Sequence, residues 1–202
     1  MKNVALIGCG RMGVFTSENV KMYAPDCWLP LSHIDAAIAH PDLNVIALAD
    51  KNSEILRKAT EYSGITTVYS DLESLVSNHV IDVLCVATRT PGRADLIKKA
   101  YELDITAIHA EKPLCNTAKE LKMLTEMLKH DNHYFTWGAI RRYMQAYLQA
   151  LEMVNSGDYG KLREINVKFG SASLFWTHAH AFDLLLFGAG ARHLVYVQAQ
   201  LK

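Results

Sequence analysis

Short apolar runs alternate with longer stretches of helical spacing along the first two thirds of the chain. The short runs are residues 4–7, 45–49, 66–69, 81–87, 105–109 and 133–137, rich in Val, Ile, Ala and aromatics. The longer stretches are residues 12–22, 53–62, 71–76, 91–103 and 117–129, where apolar side chains recur every three or four positions. Continuously apolar strands alternating with amphipathic helices predict an α/β fold, a doubly wound parallel sheet covered on both faces. Thr117 three positions before Glu120 marks a helix start, and Pro91 suits a first helical turn.

Residues 23–44 break the rhythm with Pro25, Pro30 and Pro41, and predict one short helix over 32–40. A helix leaving the first turn runs away from the carboxyl ends of the strands. This insert is therefore expected at the edge of the sheet opposite any ligand, as a packing or subunit-contact elaboration.

After Arg141 the pattern changes. Residues 143–155 read as a helix, 156–160 as a turn, and 162–171 as a half-exposed strand with Ile165, Val167 and Phe169 on one face. A short apolar helix over 180–187, ended by Gly188-Ala189-Gly190, precedes a second alternating run at 193–201. The expected organisation is a Rossmann domain over 1–140 and, over 141–202, the start of an α+β domain with an antiparallel sheet.

Composition narrows the function. Acidic and basic residues balance at 21 each, so no bulk field invites nucleic acid. No apolar stretch approaches the roughly 20 residues that span a bilayer. The first residues read as a buried strand rather than a signal peptide. Cys9, Cys27, Cys85 and Cys115 form no CxxC pair, which suits reduced thiols in the cytoplasm. His178 and His180 lack a neighbouring Cys or Glu, so no metal site is expected.

Gly8-Cys9-Gly10-Arg11-Met12-Gly13 is G-x-G-x-x-G, directly after a strand and opening a helix. Gly8 permits a tight turn, Gly10 lets backbone N–H groups approach a pyrophosphate, and Gly13 lets helix and strand pack closely. The whole turn, Arg11 and Met12 included, is a candidate dinucleotide site; the other readings are an ordinary glycine-rich turn or a methyltransferase. Asp50 ends the second predicted strand, where a carboxylate would accept the adenosine ribose hydroxyls and repel a 2′-phosphate, favouring NAD while leaving NADP open. It lies 37 positions after Gly13, against the usual ~20, and the insert accounts for the excess.

The end of the fifth strand reads His109-Ala110-Glu111-Lys112-Pro113-Leu114. Strand, Glu-Lys-Pro, then helix resembles the glucose–fructose oxidoreductase / inositol dehydrogenase (Gfo/Idh/MocA) family. Val86-Ala87-Thr88 resembles that family's nicotinamide-side loop. Arg141-Arg142-Tyr143 followed by residues 156–160 resembles its linker, and His180-Ala181-Phe182-Asp183 its H-x-x-D helix start. The resemblance implies NAD(P)-dependent hydride transfer to or from a sugar, cyclitol or related polyol, a nucleotide-sugar or acidic sugar included. It implies a catalytic Lys112, an ammonium at a strand's carboxyl end that polarises the reacting oxygen, although a surface lysine paired with Glu111 would look the same. It implies His180 as the base that takes the hydroxyl proton, and places Thr88, Glu111 and Lys112 beside the cofactor.

Two positions depart from the family pattern. Trp176 stands where many relatives have aspartate, and Arg93 where they often have histidine. With Arg142 and Asp183 these are candidate substrate contacts, Arg93 suiting a carboxylate or phosphate. Relatives have a longer second domain, so a truncated enzyme, a homo-oligomer completed through the C-terminal sheet, and a non-catalytic dinucleotide-binding module are all expectations to carry forward.

Overall fold

Six parallel strands form one sheet in the order β3-β2-β1-β4-β5-β6 in the computed structural model. It describes residues 1–16, 18–129, 133–168, 170, 178–190 and 192–200, with backbone only at 18, 19 and 27. The strands are β1 (Lys2–Ile7), β2 (Leu43–Ala49), β3 (Val68–Tyr69), β4 (Val83–Val86), β5 (Ala107–Ala110) and β6 (Tyr134–Trp137). Strand order reverses between β1 and β4, which pair from Val4↔Val83 to Ile7↔Val86. In open parallel sheets that switch point leaves a crevice beyond the strands' carboxyl ends.

The unbroken apolar runs follow from burial on both faces. Ala5 and Ile7 face one core layer with Leu84, Val86, Ile108, Leu75 and Ile97. Val4 and Leu6 face the other with Val45, Leu48, Ile34 and Leu56. Neighbouring residues of one strand thus serve different layers, as a period of two requires.

Helix ends follow local chemistry. Asn52 caps α3 (Ser53–Ser63) by accepting from the Glu54 and Ile55 N–H groups, and Gly64 closes it at φ 75°. Asp71 caps α4 (Leu72–Asn78). Thr117 and Glu120 form a reciprocal capping box on α6 (Ala118–Leu128). Pro91 falls in the turn before α5 (Arg93–Glu102), whose N-cap is Gly92 at φ 77°.

The first helix departs from expectation. Residues 11–14 form a turn, and the helix that follows, α1, covers only Glu18–Tyr23. Its usual place on the sheet is taken by α2 (His33–Ala39). The Met12 carbonyl accepts from His33 N–H at 2.9 Å, and the Gly13 carbonyl from Ile34 N–H at 3.0 Å. These are the i→i+4 bonds a continuous helix would make to its own next residues. The helix behind the glycine turn is therefore split: the chain leaves after one turn, makes an excursion through α1 and a short 3₁₀ turn at Asp26–Trp28, and re-enters at His33. The excursion thus leaves and re-enters beside the glycine turn, while α2 carries the end of the insert to the opposite edge, where the Asp42 carbonyl accepts the Lys2 N–H at 2.7 Å. The expectation of the opposite edge holds for residues 42–44 but not for His33 and Ile34, which bond the glycine turn because the helix that would have carried the chain away ends after a single turn.

The chain divides into two compact units, Met1–Gly138 and Ala139–Lys202. The second contains a 3₁₀ turn at Ile140–Tyr143, α7 (Gln145–Ser156), ended by Gly157 at φ 82°, and α8 (Ala179–Ala189), which runs through Gly188 and stops at Gly190. Neither alternating run is a strand among the described residues: 162–168 and 192–200 have no regular structure. Alternation supplies a face to bury, but a strand exists only through a ladder with a neighbour. Phe169 and Trp176 lie outside the described residues. No helix among the described residues is long and apolar enough to cross a membrane.

Candidate active site

Parallel strands put the residue after each strand on one edge. Gly8 follows β1, Asp50 follows β2, Ala87 and Thr88 follow β4, and Glu111 and Lys112 follow β5. Two turns on this edge are built by opposite means.

The glycine turn depends on missing side chains. Gly8 sits at φ 95°, and a Cβ there would lie 2.5 Å from the Ala87 carbonyl carbon and the Thr88 nitrogen. A Cβ on Gly13 would lie 2.0 Å from the Gly8 carbonyl oxygen. Gly10 is different, since its Cβ would meet nothing within 4 Å. The first and third glycines thus close the turn, and the second leaves space in front of it. The Val14 N–H donates to the Gly10 carbonyl at 2.8 Å, closing one helical turn. Asp50 braces the loop: its Oδ2 accepts from Cys9 N–H at 2.8 Å and its Oδ1 from Asn52 N–H at 2.9 Å. The Cys9 thiol is buried, and burial, reinforced by the Asp50 charge, pushes its pKa up to about 12. Arg11 is exposed and Met12 half-buried.

The lysine turn is instead crowded with bonded polar groups. Arg93, at the start of α5, is only 3% exposed. Its guanidinium donates to the carbonyls of Thr88, Glu111 and Pro113. Those carbonyls belong to the loops after β4 and β5, so Arg93 is a bracket between loops. Three backbone oxygens engage its Nη1 and Nη2 groups, a bracing role beside the substrate contact expected of it. Glu111 is also buried; its Oε2 accepts from the Lys112 N–H at 3.1 Å. Its Oε1 lies 3.2 Å from Nε2 of His33. Lys112 is half-buried, and its peptide bond to Pro113 is cis.

A second histidine completes this cluster. The His33 and His109 rings are 5.1 Å apart, and His109 Nδ1 lies 2.7 Å from the Thr136 hydroxyl. Burial opposes charge on His33, yet hydrogen bonds to Cys85 and Glu111 outweigh it and lift the pKa to about 9. Burial, aided by the nearby His33 charge, pushes His109 down to about 4. Burial also works against the Glu111 carboxylate, but His33, Lys112 and Arg93 hold its pKa below the usual range.

These features suit a dinucleotide. The space before Gly10 admits a pyrophosphate to the N–H groups of the turn. The Thr88 hydroxyl oxygen is buried with no hydrogen-bond partner among the described residues, so a polar group of a ligand would satisfy it.

The second unit holds the other sequence candidates. His180 lies in the first turn of α8 and is half-buried. Asp183 is buried on the same helix; its Oδ1 accepts from Arg142 Nε at 2.6 Å, and the guanidinium stacks 5.3 Å from the Phe187 ring. Arg142 and Asp183, both expected at the substrate, bind each other. Among the described residues no cluster of His, Cys, Asp and Glu could hold a metal. His33 escaped the sequence reading: in the chain it is only the first residue of a capped helix, with nothing to tie it to Glu111.

Residues 2–138 match the family described as "Oxidoreductase family, NAD-binding Rossmann fold". Myo-inositol 2-dehydrogenase of Thermotoga maritima is 29% identical over 159 residues, covering 78% of this chain and 42% of that protein. An NAD(+)-dependent scyllo-inositol 2-dehydrogenase of Bacillus subtilis is 26% identical over 157 residues, with 78% and 41% covered. The crystal structure of a myo-inositol 2-dehydrogenase from Lactobacillus plantarum superposes with a TM-score of 0.65 at 24% identity, over 80% of this chain and 43% of that one. The chain spans about two fifths of the length of the curated relatives it matches.

Proposed function

Since the chain belongs to the NAD-binding Rossmann oxidoreductase family, the glucose–fructose oxidoreductase and inositol dehydrogenase group, we propose that it oxidises or reduces a CH–OH carbon of a sugar, cyclitol or related polyol. The observation that carries this reading is the sharing of one sheet edge by the open glycine turn and Lys112. The Gly8 and Cys9 N–H groups are donated to the Ala49 carbonyl and to Asp50, so the backbone N–H groups of residues 10–13 would hold the pyrophosphate. Asp50, at the end of β2, would take the ribose hydroxyls and favour NAD over NADP by charge. Thr88 and Glu111 would stand on the nicotinamide side.

The bound nicotinamide supplies a hydride acceptor or donor. Lys112 directs its ammonium at the reacting oxygen and stabilises negative charge that develops there. The resemblance assigns His180 the hydroxyl proton, which an imidazole would take during oxidation and return during reduction. Cys9, Cys85 and Cys115 are free thiols, which supports a cytoplasmic setting.

Turnover of a polyol panel with NAD(+), repeated with Lys112→Ala, tests this reading. The expected loss is about 100-fold or more in kcat, with NADH affinity retained. Unchanged turnover would remove Lys112 from the chemistry. A second reading, a dinucleotide-binding module without turnover, is favoured by the lack of any strand among the described residues after 138. NADH binding without reaction on any polyol would select it.

A further inference from the structure

A buried imidazole needs partners, and the partners of His33 join the two turns of the site. The His33 side chain is 5% exposed. The His33 backbone N–H donates to the Met12 carbonyl, inside the glycine turn, where the split helix re-enters. Its ring meets Oε1 of Glu111, and Oε2 of the same carboxylate accepts the Lys112 N–H. One continuous path therefore runs from Met12 through the His33 backbone and ring to the Glu111 carboxylate and the Lys112 amide.

We propose that His33 is a positioning residue for Lys112, locking the Glu111 carboxylate and tying the aim of the lysine to the dinucleotide turn. This rests on the reading of Lys112 as the group that polarises the reacting oxygen. A carboxylate held at one oxygen rotates about its last side-chain bond, which is a soft torsion. Held at both, it fixes the amide it accepts from. Arg93 grips the carbonyls on either side of Lys112, those of Glu111 and Pro113. The lysine side chain thus leaves a backbone restrained on both flanks, which is how a reacting group keeps its geometry without substrate to hold it.

The charges around the pair fix its state. Glu111, Cys85 and His109 face His33; Arg93 and Lys112 face Glu111. At neutral pH His33 is charged, Glu111 ionised and His109 neutral. The pair thus switches in alkaline solution when His33 deprotonates, and in acid when Glu111 protonates.

The test uses the full chain labelled with ¹⁵N, with His33→Phe, which removes the bond, and His33→Gln, which restores a neutral donor. In the unaltered protein the Lys112 amide shift follows a titration centred near 9, together with the His33 ring. His33→Gln abolishes that titration but keeps the amide protected from exchange, whereas His33→Phe lowers protection by about tenfold. A merely space-filling histidine would leave the Lys112 amide unchanged in a folded His33→Phe protein, or leave the alkaline transition in His33→Gln; either result overturns the proposal. If His33→Phe does not fold, the titration in His33→Gln decides alone. In turnover, His33→Phe lowers kcat by about tenfold with the KM for dinucleotide within about threefold. A protein that turns over no polyol contradicts the function of Lys112, while the amide measurements still judge His33.

Discussion

The glycine turn and the lysine turn sit on the same edge of one sheet, yet they are built in opposite ways. The first is a shape made by omission. Backbone approaches backbone so closely at Gly8 and Gly13 that a single methyl group would collide with it, while the face at Gly10 stays open. The second is a shape made by saturation, in which Arg93, Glu111 and His33 bind the backbone or one another until little freedom remains around Lys112. Binding a diphosphate needs accessible N–H groups. Holding a reactive ammonium needs a fixed base beneath a mobile tip. The contrast teaches that one sheet edge meets both needs with different residue types.

The largest effect should come from filling the closed glycines. Gly13→Ala puts a methyl group on the Gly8 carbonyl, and Gly8→Ala adds a strained φ to a backbone clash. Each should destabilise the chain by about 3 kcal/mol or more, read as a lower midpoint in urea. Wild-type stability in either variant would break the account of the turn by omission.

Arg93→Met comes next. It leaves one buried and two part-buried carbonyls without their donor, and should cost about 2–3 kcal/mol by the same measurement. An arginine that served substrate alone would change stability by less than about 0.5 kcal/mol.

The pH dependence of stability sharpens the saturated side. His33 has a folded pKa of about 9 against an ordinary 6.5. Its contribution is complete below 6.5 and is lost as pH rises through 9. His109 moves the other way, to about 4, so the unfolded chain takes up a proton below 6.5 that the folded one refuses. Glu111, held below its ordinary value, adds to the acid loss as its carboxylate protonates. Stability should peak near pH 6.5 and fall by about 2 kcal/mol toward pH 9. The alkaline fall should vanish in His33→Gln; its persistence there would assign the loss elsewhere.

The smallest effect on folding marks the open glycine. Gly10→Ala should change stability by less than about 0.5 kcal/mol, while weakening NADH by about tenfold or more, because the methyl group would stand where the diphosphate approaches. Equal affinity would place the ligand away from this turn.

The same contrast explains what the chain alone made legible. The six strands, their order of appearance and the glycine turn were readable because each rests on local pattern: apolar runs, caps such as Thr117 with Glu120, and glycines at fixed spacing. Glu111 and Lys112 were readable as a motif. Their mounting was not, because His33 and Arg93 reach them from elements 78 and 18 positions away. The split helix hid for a similar reason: the hydrogen bonds from His33 and Ile34 to Met12 and Gly13 cross an insert that reads as a separate segment. Past 138, alternation at 162–171 and 193–201 suggested strands, but pattern alone cannot supply the neighbouring strand a ladder requires.

Calorimetric titration of the full chain with NADH tests the central claim most directly. A dinucleotide seated on the N–H groups of residues 10–13 predicts saturable heat at micromolar ligand, weakened in Gly10→Ala. A folded chain that gives no heat with NADH or NAD(+) would contradict it.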